Sequence, residues 1–237
     1  MAEQIPLHFA FNPALSLERF HPGSNGEVVG HLRAAVQGQG DWLIFLWGEP
    51  GSGKTHLLNA CCREASSRGL SISYLPLTVL ADYGPEVLDG LDYQDLVCID
   101  DLDAVAGRPD WEAALFHFFN ELKNRQGTLI VSALVPPAAL AVQLADLKTR
   151  FGWGLTLWLH PLQDDDQRAV LELHADSLGL ELPPRVSQFL LTRFPRDLTT
   201  LRELLNELDH ATLAAKRKLT LPFLKTYLEH RTLTPLS

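Results

Sequence analysis

The stretch Gly48-Glu49-Pro50-Gly51-Ser52-Gly53-Lys54-Thr55 constrains this chain more than any other. It fits G-x-x-x-x-G-K-[ST], the pattern of a phosphate-cradling P-loop. Before it runs Trp42-Leu43-Ile44-Phe45-Leu46-Trp47, an unbroken apolar segment that reads as a buried strand. After it, His56-Leu57-Leu58-Asn59-Ala60-Cys61-Cys62 contains no breaker and reads as the opening of a helix. Strand, glycine-rich turn and helix start are the arrangement that phosphate binding requires. Glycines let successive backbone N–H groups converge on the anion, and the helix N-terminus adds partial positive charge. Gly48, Pro50, Gly51, Ser52, Gly53, Lys54, Thr55 and His56 are therefore the expected nucleotide-binding residues. Lys54 is expected on the β/γ-phosphates and the Thr55 hydroxyl on Mg²⁺.

Further apolar runs alternate with helical patterns. Ser71–Leu77, Leu96–Asp101, Thr128–Ala133 and Gly154–Leu159 read as strands two to five. Helices are expected over about Gly26–Gln37, from the P-loop to about Arg68, over about Trp111–Asn124, and from Pro136 to about Arg150. Strands alternating with helices predict an α/β fold, a parallel five-stranded sheet covered on both faces. From about Leu162 onward strand signals stop. Leu171, Ala175 and Leu178 share one helical face. Leu198, Leu201, Leu205, Leu208, Thr212 and Ala215 follow a helical spacing behind Asp197 as N-cap, and Thr220 is placed to cap a last helix. The expected organisation is an extended arm over 1–19, a nucleotide-binding α/β domain over 20–162 and a small helical domain over 163–237.

With 29 acidic against 20 basic side chains, the formal charge is −9, which argues against broad nonspecific nucleic-acid binding. Three cysteines without C-x-x-C spacing read as small buried thiols of a reducing compartment. There is no signal-peptide pattern and no apolar run of membrane-spanning length, so a cytoplasmic protein without a membrane partner is expected.

Several residues outside the loop are candidates for chemistry. Asp100, at the end of the third strand, is placed to hold Mg²⁺, mostly through water. Asp101 follows it, where a carboxylate either polarises the attacking water or caps the next turn. Ser132 closes the fourth strand, with a hydroxyl for the γ-phosphate or for its own backbone. Arg150, between a helix end and a strand, is either an arginine finger reaching a neighbour's phosphate or a surface ion pair. Arg196, before the long helix, is either a nucleotide contact or another surface charge. In the arm, Gln4-Ile5-Pro6-Leu7-His8-Phe9 either folds onto the chain's own core or docks in a partner's groove.

Taken together, the P-loop with His56-Leu57-Leu58, Leu96–Asp101, Leu147-Lys148-Thr149-Arg150-Phe151-Gly152-Trp153-Gly154-Leu155 and Arg196-Asp197-Leu198 resemble the AAA+ module of the bacterial initiator DnaA. The likeness spans about residues 17–230 with its motifs in order. No counterpart of the initiator's helix-turn-helix DNA-binding domain follows in this sequence. The arm, similar to the Q-L-x-L-x-[FL] peptides that dock on the β sliding clamp, gives the chain its likeness to the Hda family of DnaA inactivators. Leu219-Thr220-Leu221-Pro222-Phe223 is similar to that family as well.

The resemblance implies an AAA+ P-loop NTPase core with a helical lid. It implies bound ADP or ATP with Mg²⁺, and activation of a partner's ATPase more than turnover of the chain's own ATP. Arg150 becomes a finger offered in trans to DnaA-bound ATP, with Asp101 a weaker catalytic candidate. Arg196 becomes a lid sensor of the chain's own nucleotide, Ser132 a sensor on strand four, and Phe20 and His21 the adenine packers. Gln4, Ile5, Leu7 and Phe9 become anchors on the β sliding clamp of DNA polymerase III. The implied partners are that clamp, DnaA, DNA indirectly through the clamp, and a second copy of the chain. The implied role is prevention of re-initiation. An autonomous ATPase of the helicase-loader or clamp-loader type is the alternative.

Overall fold

The computed structural model describes residues 11–12, 15–194 and 198–233. Their chain divides into two compact units, meeting at Pro161 and Leu162. In the first, a 3₁₀ turn at Gly23–Asn25 leads into helix α1, Gly26–Val36. Strand β1, Leu43–Trp47, is followed by helix α2, Lys54–Ser67, then by β2, Ile72–Pro76, and the short helix α3, Leu77–Leu80. Next come β3, Leu96–Asp100, helix α4, Pro109–Asn124, β4, Thr128–Ala133, helix α5, Ala145–Phe151, and β5, Leu155–Trp158.

The five strands form one sheet in the order β2-β3-β4-β1-β5, and every pairing is parallel. Parallel sheets need cover on both faces, and the side-chain alternation supplies it. Leu43, Phe45, Val97, Ile99, Leu129 and Val131 point into one core, with Leu77, Leu80, Trp111, Leu115, Phe119, Leu147 and Phe151 from α3, α4 and α5. Ile44, Leu46, Leu96, Cys98 and Ile130 point into the other, against Leu32, Leu57, Leu58, Cys61 and Ala65 from α1 and α2. All three cysteines are buried free thiols. Burial pushes the thiols of Cys61 and Cys98 up, away from the reactive thiolate.

One expected helix is shorter than its sequence pattern. Between Pro136 and Arg150 the chain forms a 3₁₀ turn at Pro137–Ala139 and becomes α-helical only from Ala145. The cause lies elsewhere in the chain. Glu112, buried in the first turn of α4, accepts hydrogen bonds from the N–H groups of Gln143 (3.0 Å) and Leu144 (2.7 Å), and also of Gly107 (2.8 Å). Those two amides serve the carboxylate instead of a helical ladder.

The second unit contains helices α6, Asp164–Leu178, α7, Pro184–Arg193, α8, Leu198–Ala215, and α9, Leu221–Leu233. Three aspartates in the first turn of α6 complement its dipole, and Gly179 in the left-handed region, φ 72°, ends it. Leu201, Leu204, Leu205 and Leu208 of α8 pack on Leu171 and Ala175 of α6, Leu190 of α7 and Leu224 of α9. Thr220 accepts from the Phe223 N–H at 3.4 Å, the expected cap bond of α9. Ala215, by contrast, is exposed. Asp197, its expected capping role and Arg196 lie outside the described residues. Among the described residues, no helix is long and apolar enough to cross a membrane.

Candidate phosphate-binding site

The P-loop leaves β1 at Trp47 and enters α2 at Lys54, between the neighbouring strands β4 and β5. Space and backbone geometry explain its glycines. A Cβ on Gly48 would stand 2.7 Å from the Leu159 carbonyl oxygen. Gly53 has φ 103°, and a Cβ there would lie 2.8 Å from the Phe20 ring. This tight left-handed turn aims the first turn of α2 at whatever the loop holds.

Two features fit an anion. The Ser52 hydroxyl is buried in the loop and has no hydrogen-bond partner, a costly condition that a phosphate oxygen would relieve. Lys54, 6% exposed, folds back so that Nζ donates to the carbonyls of Gly48 (2.7 Å) and Glu49 (3.0 Å). Burial lowers its proton affinity, and Asp101, Asp100 and Asp103 oppose that shift. A phosphate beside the ammonium adds an opposite charge and works in the same sense as the aspartates.

Asp100, at the end of β3, is 1% exposed. Its Oδ2 accepts from the Tyr74 phenol at 2.8 Å and its Oδ1 from the Ser132 hydroxyl in a short hydrogen bond. Ser132 also accepts from the Asp101 N–H at 2.9 Å. The fully buried Ser132 hydroxyl thus bonds the last residue of β3 and the backbone of the residue after it, not its own backbone. Tyr74 is the residue that sequence reasoning missed. A tyrosine in an edge strand satisfies the period-two pattern as ordinary packing, and nothing local tells that its hydroxyl crosses to Asp100. Burial, followed by the Asp100 carboxylate, pushes the Tyr74 phenol pKa upward, so the group stays a donor.

Asp101 sits in the left-handed region at φ 57°, a conformation that Asp tolerates better than most residues. It occupies the N-cap position of the Leu102–Ala104 turn, yet its side chain makes no cap bond. Burial and then Asp100 raise its pKa, partly offset by Lys54. The carboxylate thus has increased proton affinity beside the loop, the property a base toward water needs.

The donor set suits Mg²⁺, a hard cation that takes oxygen ligands: the Thr55 hydroxyl at the start of α2 and the Asp100 carboxylate. Among the described residues no three or more His, Cys, Asp or Glu side chains gather for a metal, so such an ion would complete its shell with phosphate and water.

Phe20 and His56 come together at the head of α2. Their rings meet edge to face at 5.3 Å, and the His56 Nε2 lies 3.1 Å from the Ser16 carbonyl oxygen. His21 follows Phe20 as a half-buried residue.

Arg150 stands apart from this site. Four residues later, Gly154 crowds Leu43, the first residue of β1; a Cβ on it would fall within 2.3 Å of the Leu43 carbonyl oxygen. The P-loop begins only after the last residue of β1, five residues or roughly 16 Å further along the strand. The Arg150 guanidinium is half-buried and lies 3.7 Å over the Phe116 ring. It donates to the Phe116 carbonyl at 3.4 Å and to the Asn120 side-chain oxygen in a short bond, both on α4, and Trp153 stands 5.5 Å away. Gln4, Ile5, Leu7 and Phe9 lie outside the described residues.

Comparison with known proteins agrees with this geometry. A family model described as the Hda lid domain matches residues 164–228, and one described as the bacterial DnaA ATPase domain matches residues 85–158. Domain III of the Thermotoga maritima replication initiation protein DnaA superposes with a TM-score of 0.78 at 24% identity, covering 93% of this chain and 98% of that one. A replication initiator DnaA bound to AMPPCP and single-stranded DNA gives 0.70 at 22% identity, over 87% of this chain and 69% of that one. A variant of Thermotoga maritima RuvB gives 0.67 at 20% identity, over 91% and 71%. The structural likenesses establish the AAA+ fold with its helical lid, and the two family matches carry the closer kinship. This chain is a DnaA- and Hda-related AAA+ protein.

Proposed function

We propose that this chain regulates chromosomal replication initiation. It docks on the DNA-loaded β sliding clamp through Gln4, Ile5, Leu7 and Phe9, and holds an adenine nucleotide, ADP, with Mg²⁺ in its own P-loop. From there it stimulates hydrolysis of DnaA-bound ATP by offering Arg150 in trans, which prevents re-initiation. The support comes from the position of Arg150: it belongs to the strand-start edge of the sheet, whereas the chain's own P-loop follows the opposite edge. An arginine placed this way serves a triphosphate on another molecule and not its own. Fingers of this kind contribute about 10³–10⁵ in rate in other P-loop systems. Tethering both partners to one clamp raises their effective concentration toward the mM range. Arg196 is the lid's contact to the resident nucleotide in this reading, and Phe20 and His21 face its base. The AMPPCP carried by a DnaA of the same fold supports an adenine nucleotide in the loop.

The test is hydrolysis of DnaA-bound ATP in the presence of clamp-loaded DNA. Wild-type chain accelerates it and Arg150→Ala does not; full stimulation by the variant refutes the finger.

A second reading, an autonomous ATPase of the helicase-loader or clamp-loader type, draws on Asp101, whose raised proton affinity suits activation of water in the chain's own site. ATP turnover by the purified chain, independent of clamp and lost in Asp101→Asn, would favour it.

A further inference from the structure

We propose that the hydroxyls of Tyr74 and Ser132 are positioning groups for the metal-side carboxylate, setting how strongly Mg²⁺ supports nucleotide binding. The inference rests on the reading that the P-loop takes a nucleotide with Mg²⁺. It adds a residue, Tyr74, that belongs to neither the loop nor its acidic strand end.

A buried carboxylate has two oxygens and about four lone-pair directions. At Asp100 each oxygen receives one hydroxyl: Tyr74 on Oδ2 at 2.8 Å, Ser132 on Oδ1. With one donor on each side the carboxylate cannot rotate about its terminal bond without losing both, and the remaining lone pairs keep a fixed direction. A cation held mostly through its water shell depends on that direction, because the waters must bridge at hydrogen-bond length. Outer-shell partners that orient ligands in this way are typically worth 10–100-fold in metal affinity.

The Tyr74 ring is itself immobilised. It pairs in register with Cys98 of β3 and packs against the apolar core beneath α2. Asn59 of α2 braces the other side, at Thr55. Its Nδ2 donates to the Thr55 carbonyl at 2.8 Å. Thr55 bears the hydroxyl expected on the cation; Asp100 is the carboxylate expected across from it. Asn59 is 3% exposed, and its Oδ1 accepts from the Asn12 N–H at 2.6 Å. Hydrogen bonds thus brace the two parts separately: Asn12 and Thr55 to Asn59 at the α2 head, Tyr74 and Ser132 to Asp100 at the end of β3.

The experiment titrates a fluorescent ADP analogue onto the full chain, at increasing Mg²⁺ and separately in excess EDTA. Tyr74→Phe keeps the ring in its packing and removes only the hydroxyl. The expected result is a rise of about tenfold in the Mg²⁺ concentration that half-maximally enhances binding, with the EDTA affinity unchanged. Ser132→Ala shifts the same midpoint in the same direction from the other oxygen. A wild-type Mg²⁺ midpoint in both variants overturns the proposal. So does an equal weakening with and without Mg²⁺, which marks a merely structural hydroxyl. Lys54→Ala runs in parallel. If it binds like wild type, the phosphate-site reading itself fails; if it loses binding while Tyr74→Phe and Ser132→Ala keep the wild-type midpoint, only the positioning role fails.

Discussion

Asn25 holds the main chain of His160 at both of its polar groups: its Oδ1 accepts from the His160 N–H at 2.8 Å, and its Nδ2 donates to the His160 carbonyl at 3.0 Å. The amide, 1% exposed, mimics a strand partner and fixes the chain just beyond β5, beside the carbonyl that crowds Gly48. Asn25→Ala leaves both groups without their partner. The expected cost is about 2–3 kcal/mol, read from urea unfolding. Asn25→Asp keeps the acceptor but turns a second oxygen toward the His160 carbonyl in a buried site, so it is expected to cost at least as much as Asn25→Ala.

Replacing Arg150 separates charge from shape. A lysine keeps the positive charge but cannot lie flat over Phe116 or donate as a planar fork. Arg150→Lys is expected to recover only a small part of the stimulation lost in Arg150→Ala, itself about 10³-fold. Because the guanidinium is half-exposed, neither change should alter thermal stability by more than about 1 kcal/mol. Single-turnover hydrolysis of DnaA-bound ATP, paired with thermal melts, checks both halves.

Asp101 gives a pH signature. Its pKa is raised in the folded chain, so the folded state binds the proton more readily than the unfolded one. The ionised group is therefore a destabilising element at neutral pH. Its penalty diminishes as pH falls through the raised folded value and vanishes below the ordinary aspartate value. Asp101→Asn, which also accepts a left-handed backbone, is expected to be slightly more stable than wild type at pH 7. The difference is small because the half-exposed group is screened by solvent, and it disappears in acid. Denaturation midpoints measured across that range decide it.

The arm is testable apart from the fold. Gln4→Ala combined with Phe9→Ala is expected to reduce clamp binding by at least about 100-fold, as loss of two anchors does at about 1.4 kcal/mol or more each. Nucleotide affinity should stay at the wild-type value. Surface-immobilised clamp and the fluorescent ADP analogue give the two readings, and retained clamp binding disproves the docking role.

The sheet was readable because its code is local. Thr128–Ala133 announces itself as an apolar run between turns, and the structure keeps those bounds. Ser71 and Leu77 fall outside β2, since Leu77 already opens α3. The P-loop was readable for the same reason: its glycines answer to neighbours in sequence. What stayed hidden depends on contacts between distant segments. Glu112 draws the amides of Gln143 and Leu144 out of a helix more than thirty residues away, and no local propensity carries that information. The sequence leaves the Ser132 hydroxyl a choice of phosphate or its own backbone, and does not reveal its bonds to Asp100 and the Asp101 N–H. Those bonds follow from Asp100 on the adjacent strand. Tyr74 reads as a plain strand residue until the fold brings its hydroxyl to the Asp100 carboxylate.

The indoles of Trp47 and Trp158 lie nearly parallel, 12° apart at 5.5 Å between centroids, and Trp47 is the residue immediately before the phosphate loop. Two stacked indoles at that spacing couple their strong far-ultraviolet transitions, which gives a circular-dichroism couplet of their own. The chain therefore carries a label-free optical gauge at the threshold of its binding loop, and any ligand that tilts one ring against the other changes the signal without a dye or tag.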